Sequence, residues 1–198
     1  AQASARFLVI YLPLSFDCIV LPLVTMTSQV KFTIVPQGGA AEQTFTVTVH
    51  PEWAPLGAER FIDLVKDGNF TEGRFYRVIA DFMVQFGIAA DPSTYNKWSK
   101  MIKDDPVKQS NTRGKISFAM RGPDTRSCQI FINFGNNSNL DSQGFSPFAE
   151  VTEGMDVVDK IFACGDEPYR CDIKNQGNKA FPPDMMAKLG YVVKAEVL

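Results

Sequence analysis

The chain has 198 residues, of which 45% are hydrophobic and 12% aromatic, and its 20 basic and 22 acidic residues give a formal net charge of −2. This length suits one domain and is ample to bury a hydrophobic core. Because the charge is nearly balanced, the chain has no large basic excess that would attract it to nucleic acid or to an anionic membrane.

The first part of the chain is apolar. Residues 7–16 form an apolar run after Arg6, and a second run covers residues 18–24. One basic residue before an apolar core of 7–15 residues is typical of a secretory signal. An aspartate and two prolines interrupt the pattern, and the run is shorter than the roughly 18 apolar residues of a transmembrane helix. A membrane span is therefore not predicted.

Two interpretations of this segment stay open. Residues 1–27 are either a signal-like leader, which would send the chain into the secretory pathway, or a non-native extension of a cytoplasmic chain that starts at Met26. In both cases we expect one functional domain, covering residues 28–198.

A hairpin and a helix are predicted next. Residues 30–35 and 43–49 alternate between apolar and polar side chains, and the glycine pair Gly38-Gly39 lies between them. This pattern predicts two antiparallel strands joined by a tight turn. Apolar residues then recur at helical spacing in residues 55–66, and Gly68 provides a C-terminal stop signal.

The most informative stretch covers residues 74–87, with the sequence Arg-Phe-Tyr-Arg-Val-Ile-Ala-Asp-Phe-Met-Val-Gln-Phe-Gly. Two short runs of aromatic and β-branched residues meet at Ala80-Asp81, which predicts a second hairpin. Arg77 stands among apolar neighbours in the first of these runs.

The remaining elements follow at shorter intervals. Residues 88–111 are polar and predict a long loop. Residues 115–120 and 129–134 predict strands, residues 153–162 place apolar side chains on one helical face, and residues 190–198 predict a final strand.

The cysteines and the single histidine give no metal signature. Cys164 and Cys171 flank a turn-rich segment and are either disulfide-bonded or two reduced thiols. No paired CxxC motif occurs, so no zinc site is predicted. His50 precedes a proline at a predicted strand end, where we expect a surface or capping role instead of catalysis.

A Gly-Pro loop at residues 120–128 leads into another apolar strand. Together with residues 74–87 it resembles the cyclophilin family of peptidyl-prolyl isomerases, over about residues 30–198. The matching positions are Phe75, Arg77, Phe82, Met83, Gln85, Gly87, Gly122, Pro123, Thr125, Gln129, Phe131, Leu140, Asp141 and Phe148.

The resemblance implies an all-β fold, a closed eight-stranded antiparallel β-barrel capped by two α-helices. It also implies catalysis of rotation about Xaa–Pro bonds, whose amide barrier is ~18–20 kcal/mol. Such catalysis requires complementarity to a twisted amide and no cofactor or metal.

The resemblance implies roles for individual residues. The implied catalytic residues are Arg77, Phe82, Gln85 and Phe131, with Arg77 donating to the prolyl nitrogen. The implied substrate-binding residues are Met83, Met120, Gln129, Leu140 and Phe145. In the secondary pocket that receives the residue two before the proline, the implied positions are Arg121, Arg126 and Cys128. Two arginines there predict a preference for an acidic substrate residue.

Four residues depart from the family pattern. Met120 replaces the usual Asn, Ile130 stands where Phe is common, and Phe145 takes the position of a pocket-edge His. Asn139 replaces the Trp that in many members donates a hydrogen bond to cyclosporin, so we expect weak cyclosporin binding.

The sequence thus predicts a monomeric prolyl isomerase that acts on proline-containing peptides and on unfolded or folding proteins. An alternative is a proline-peptide binding module or chaperone that uses the same groove without significant turnover. A third possibility is a lipocalin-type barrel with a small ligand, which the many large core side chains disfavour.

Overall fold

The computed structural model describes residues 27–166 and 170–198, with the side chains of residues 170 and 171 excepted. This described part forms eight strands and several short helices. The strands are β1 (Ser28–Gln37), β2 (Gln43–Val49), β3 (Arg77–Ile79), β4 (Met83–Phe86), β5 (Lys115–Phe118), β6 (Ile130–Asn133), β7 (Pro147–Glu153) and β8 (Leu189–Val197).

All eight strands belong to one antiparallel sheet in the order β3-β4-β6-β5-β7-β2-β1-β8. The mainly β class and the two predicted hairpins are therefore confirmed. In the described part of the chain, however, the end strands β3 and β8 share no ladder, so the sheet is open and the predicted closed barrel is not confirmed.

The two ends of the sheet are nevertheless close. An isolated bridge joins Arg74 to Tyr191 of β8, and the backbone N–H of Phe75 donates to the carbonyl of Gly190 at 3.1 Å. These contacts involve residues ahead of β3, which is only three residues long. The edge of β3 that faces away from β4 is instead bridged at Val78 to Gly165, so β8 does not pair with β3.

Helix α1 (Pro55–Lys66) has the predicted bounds. Pro55 begins it, where a missing N–H costs nothing, and Gly68 follows its end with φ 73°. Its apolar face packs onto the core through buried side chains that include Phe61 and Leu64.

The second end helix is shorter than predicted. Glu153 is the last residue of β7, and α3 covers only Met155–Val158. Three helices were not predicted: α2 (Pro92–Trp98), α4 (Arg170–Gln176) and α5 (Pro183–Met186). For α2 a signal was present, because Asp91 accepts from the N–H of Thr94 as an N-cap and Pro92 follows it.

The main core fills the space between the sheet and α1 and consists largely of phenylalanine rings. Phe32 and Phe45 stack at 4.9 Å between centroids, and Phe61 and Phe148 lie 5.1 Å apart. All four side chains are at most 1% exposed. A packed interior of this kind leaves no room for a lipocalin-type ligand.

Two predictions lie outside the described residues: the nature of residues 1–26 and the pairing of Cys164 with Cys171. Among the helices that are described, none is long and apolar enough to cross a membrane.

Candidate active site

The β3–β4 hairpin positions the two central polar side chains. Asp81 occupies its turn with φ 62°, a left-handed conformation that aspartate tolerates better than most residues. The register places Arg77 opposite Gln85, and Gln85 in turn opposite Phe131 of β6. Three adjacent strands thus bring an arginine, a glutamine and an aromatic ring side by side.

A small apolar pocket opens beside them. Met83, Phe131 and Leu140 form a buried cluster, 2%, 4% and 7% exposed, apart from the main core. Partly buried side chains pack around this cluster, namely Ile79, Phe82, Ala119 and Phe145. The pocket has a volume of about 110 Å³, below the ~300–1,000 Å³ of sites for drug-sized ligands. It suits a single small ring, and we call it the ring pocket.

Arg77 and Gln85 line the ring pocket and belong to one hydrogen-bond network. Arg77 Nη1 donates to Gln85 Oε1 at 3.2 Å, and Gln85 Nε2 donates to Gln129 Oε1 at 3.2 Å. The hydroxyl of Tyr76 donates to the same Gln129 oxygen at 3.0 Å. Because Gln85 is only 3% exposed, these partners fix its amide orientation.

Arg77 has a second partner. Its Nε atom donates to Asp166 Oδ1 at 2.6 Å, while the Arg77 side chain remains 24% exposed. The guanidinium is therefore held at the rim of the ring pocket, in contact with both protein and solvent.

Leu140 is carried by a 3₁₀ helix, Ser138–Gln143, that Asp141 fixes in place. The Asp141 carboxylate accepts from the hydroxyl of Ser110 and from the backbone and side-chain N–H groups of Asn111. Burial raises the pKa of Asp141, but these hydrogen bonds outweigh burial and leave the pKa below its usual value. The ionised carboxylate thus anchors one wall of the ring pocket.

A second, more polar pocket adjoins the ring pocket. Gln85, Ala119 and Met120 line both pockets, so the two form one groove with Met120 at their boundary. The second pocket, here called the side pocket, is lined in addition by Tyr95, Ser99, Met101, Arg121, Thr125, Ser127, Gln129 and Lys174.

The comparison with known families identifies the family to which this groove belongs. The family model described as "Cyclophilin type peptidyl-prolyl cis-trans isomerase/CLD" matches residues 33–178, well over half of the chain. The chain belongs to the cyclophilin-type peptidyl-prolyl cis-trans isomerases.

Relatives of this cyclophilin are named accordingly. It is 35% identical over 122 residues to "Peptidyl-prolyl cis-trans isomerase B" of Escherichia coli, which covers 54% of this chain and 71% of the relative. It is 32% identical over 120 residues to "Peptidyl-prolyl cis-trans isomerase-like 3" of Dictyostelium discoideum, covering 57% of this chain and 72% of the relative. A third relative, "Peptidyl-prolyl cis-trans isomerase" of Acinetobacter baylyi, is 35% identical over 114 residues, 54% of this chain and 61% of its own length.

The groove of this cyclophilin contains all nine residues predicted for catalysis and substrate binding. Eight line the ring pocket: Arg77, Phe82, Met83, Gln85, Met120, Phe131, Leu140 and Phe145. Gln129 lines the side pocket. The predicted secondary-pocket residues divide, because Arg121 lines the side pocket whereas Arg126 and Cys128 do not.

The prediction that two guanidinium groups face the side pocket is wrong for Arg126. Its side chain is 1% exposed and forms an ion pair with Asp105, with Nη1 to Oδ2 at 3.0 Å. Cys128 is also fully buried, and burial raises the pKa of its thiol to about 11. Neither side chain is accessible to a substrate.

Several contributors to the site were not predicted, and Tyr76, Asp166 and Lys174 are the polar ones that matter most here. Tyr76 has a weak signal, as an aromatic residue with a polar tip directly beside Arg77. Asp166 and Lys174 have no local signal, because both reach the groove from sequence-distant segments.

The other polar candidates lie elsewhere. The two ring nitrogens of His50 contact Glu52 and Glu150, and the ring stacks on Trp53 at 3.7 Å. The His50 ring is thus held by two carboxylates and an indole, and it lines neither pocket of the groove. Within residues 27–166 and 170–198, no group of three or more His, Cys, Asp or Glu side chains could hold a metal ion.

Proposed function

We propose that this cyclophilin is an active isomerase in which the ring pocket holds the substrate proline and Arg77 stabilises the twisted amide. One observation carries the proposal: the Arg77 guanidinium lines an apolar pocket of a size that suits one ring. The same observation favours turnover over mere binding, because a peptide-binding groove needs no cation beside the proline nitrogen.

The chemistry follows from amide resonance. In the planar amide the nitrogen lone pair is delocalised, and twisting by 90° localises it on the nitrogen and lets it accept a hydrogen bond. A donor at that nitrogen stabilises the transition state more than the ground state, which is the condition for catalysis. Among the described contacts, Gln85 and Asp166 use two of the five guanidinium N–H groups of Arg77, so donors remain for a substrate.

The surrounding residues would bind the peptide. Phe82, Met83, Phe131 and Leu140 would pack on the proline ring, and Phe145 extends this wall by an edge-on contact with Phe131 at 5.7 Å. Gln85 and Gln129 offer amide groups to the substrate backbone, and Met120 lies between the two pockets.

The proposal extends to the domain as a whole. Residues 28–198 would form the isomerase domain, which the start of β1 at Ser28 and the family match support. Residues 72–75 would close the sheet into a barrel through their backbone hydrogen bonds to β8. Helices α1 and α3 would cover the two ends of this barrel. The domain would act as a monomer on proline-containing peptides and on folding proteins.

The decisive experiment measures turnover and binding separately. Exchange between the cis and trans forms of a short proline peptide is followed by NMR, and the affinity of the same peptide is measured by titration. We expect catalysed exchange by the wild type. Arg77→Ala should lower kcat at least tenfold, since loss of one preorganised donor costs ~2–4 kcal/mol.

Arg113→Ala is the matched control. Arg113 is an equally charged, half-exposed arginine whose partners, Asp159 and the carbonyl of Phe134, lie outside the groove. Its replacement should leave turnover unchanged. Wild-type binding without exchange would instead identify a binding module, and full activity in Arg77→Ala would refute the mechanism.

A further inference from the structure

Asp166 is brought to the active site by a short backbone pairing. The N–H of Val78 donates to the carbonyl of Gly165 at 3.2 Å, and the N–H of Gly165 donates to the carbonyl of Val78 at 2.9 Å. This is an isolated antiparallel bridge. In such a pairing the residue before Val78 lies opposite the residue after Gly165. Arg77 and Asp166 are therefore cross-strand neighbours.

Because of this pairing, the side chains of Arg77 and Asp166 are in contact. On one side, Nη1 of Arg77 donates to Oε1 of Gln85, its cross-strand partner on β4, at 3.2 Å. On the other side, Nε of Arg77 donates to Oδ1 of Asp166 at 2.6 Å. A free arginine side chain has several rotatable bonds and samples many rotamers. Two partners on opposite sides restrict this freedom before a substrate arrives.

We propose that Asp166 is a positioning residue, which orients the Arg77 guanidinium at the ring pocket and so increases turnover. The inference rests on the proposed role of Arg77. In this role Asp166 orients the guanidinium of Arg77 and does not neutralise its charge. The Asp166 side chain is 77% exposed, so solvent screens its charge, whereas its hydrogen bond to Nε still fixes the plane of the guanidinium.

The test compares two aspartates of equal exposure. Asp156 is also 77% exposed and forms an ion pair with Lys160, but it lies on α3 and does not line the groove. We expect Asp166→Ala to lower kcat about two- to fivefold with KM unchanged, the size expected for one exposed ion pair. Asp156→Ala should have wild-type kcat, and Asp166→Glu should recover most of the loss.

A spectroscopic measurement accompanies the kinetics. The NMR resonance of the Arg77 Nε–H group should shift in Asp166→Ala and stay in place in Asp156→Ala. Equal kcat values for the two alanine variants would overturn the proposal, and so would a higher kcat in Asp166→Ala, which would indicate neutralisation.

The variant Arg77→Ala separates this inference from the proposed function. If Arg77→Ala loses activity but Asp166→Ala does not, only the positioning role fails. If Arg77→Ala keeps full activity, the proposed function fails whatever Asp166 does. In the Arg77→Ala background, Asp166→Ala should have no further effect on kcat, because the residue it positions is gone.

Discussion

Arg126 and Asp105 form a buried ion pair that connects the Gly-Pro loop to helix α1. Their side chains are 1% and 2% exposed, and Asp105 also accepts from the N–H groups of Leu56 and Gly57 at 3.1 and 2.9 Å. These are N–H groups of the first helical turn, which Ala54 at the N-cap cannot satisfy. Asp105 therefore caps α1 from a distant loop while it neutralises Arg126.

We expect Arg126→Met to destabilise the fold by about 3–5 kcal/mol, because removal of one partner leaves the Asp105 charge buried and unpaired. Arg113→Met is the control, since the Arg113–Asp159 pair is 49% and 41% exposed and should contribute no more than ~1 kcal/mol. Urea unfolding monitored by fluorescence measures both. Equal losses in the two variants would show that Arg126 contributes no more than a surface ion pair.

The buried thiol of Cys128 predicts a dependence of stability on alkaline pH. Burial raises its pKa from 9.0 to about 11 in the folded chain, so between these values the unfolded state releases a proton that the folded state keeps. The contribution of Cys128 is fully present below pH 9 and is lost as the pH rises towards 11. By pH 10 the loss should be about 1 kcal/mol.

Comparison with Cys128→Ala isolates this effect from other groups that titrate at alkaline pH. The stability difference between wild type and variant, measured by urea unfolding, should shrink from pH 8 to pH 10. A constant difference over this range would contradict the raised pKa.

The side pocket predicts a substrate preference. Arg126 is buried, so the positive charge of this pocket comes from Arg121 and Lys174, the latter contributed by α4. We expect about two- to fivefold higher kcat/KM for Glu than for Lys two residues before the proline, at low ionic strength. Arg121→Ala should reduce this ratio, whereas Lys194→Ala on β8 should not. Equal rates for the two peptides at low salt would refute the preference.

Cyclosporin binding should be weak. Asn139 lies exposed on the 3₁₀ helix beside Leu140 and lines neither pocket, so it offers neither the apolar area nor the indole N–H of a tryptophan. We expect Asn139→Trp to strengthen binding about tenfold, about 1.4 kcal/mol. Calorimetric titration measures this, with Ser142→Trp on the same helix as the control. Tight binding by the unmodified chain would contradict the role assigned to Asn139.

Local features of the fold were predictable because their causes are local. Pro55 and Gly68 bracket α1, and Ala80-Asp81 marks the β3–β4 turn. The ring pocket was predictable for a related reason. Its residues lie on strands or beside them at spacings that the family resemblance identifies, and the β4–β6 register brings them together.

Local sequence patterns did not predict that the charged side chain of Arg126 is buried. An arginine in a Gly-Pro loop is usually exposed, and nothing near Arg126 in the sequence announces Asp105, which lies 21 positions away. The resemblance implies a closed barrel, but whether β3 pairs with β8 depends on tertiary contacts, because the outer edge of β3 is bridged at Val78 to the sequence-distant Gly165.

The sequence by itself determined the family, the strands that build the groove, and eight of the nine side chains that line the ring pocket. Only the tertiary structure decided which charged side chains from distant segments lie at the groove. Asp166 reaches Arg77 across 89 positions, and Lys174 enters the side pocket from α4, through backbone pairings and packing between distant segments. Alternation and turn signals report neighbours within a few residues, whereas an ion pair depends on a distance in space that only the assembled chain sets.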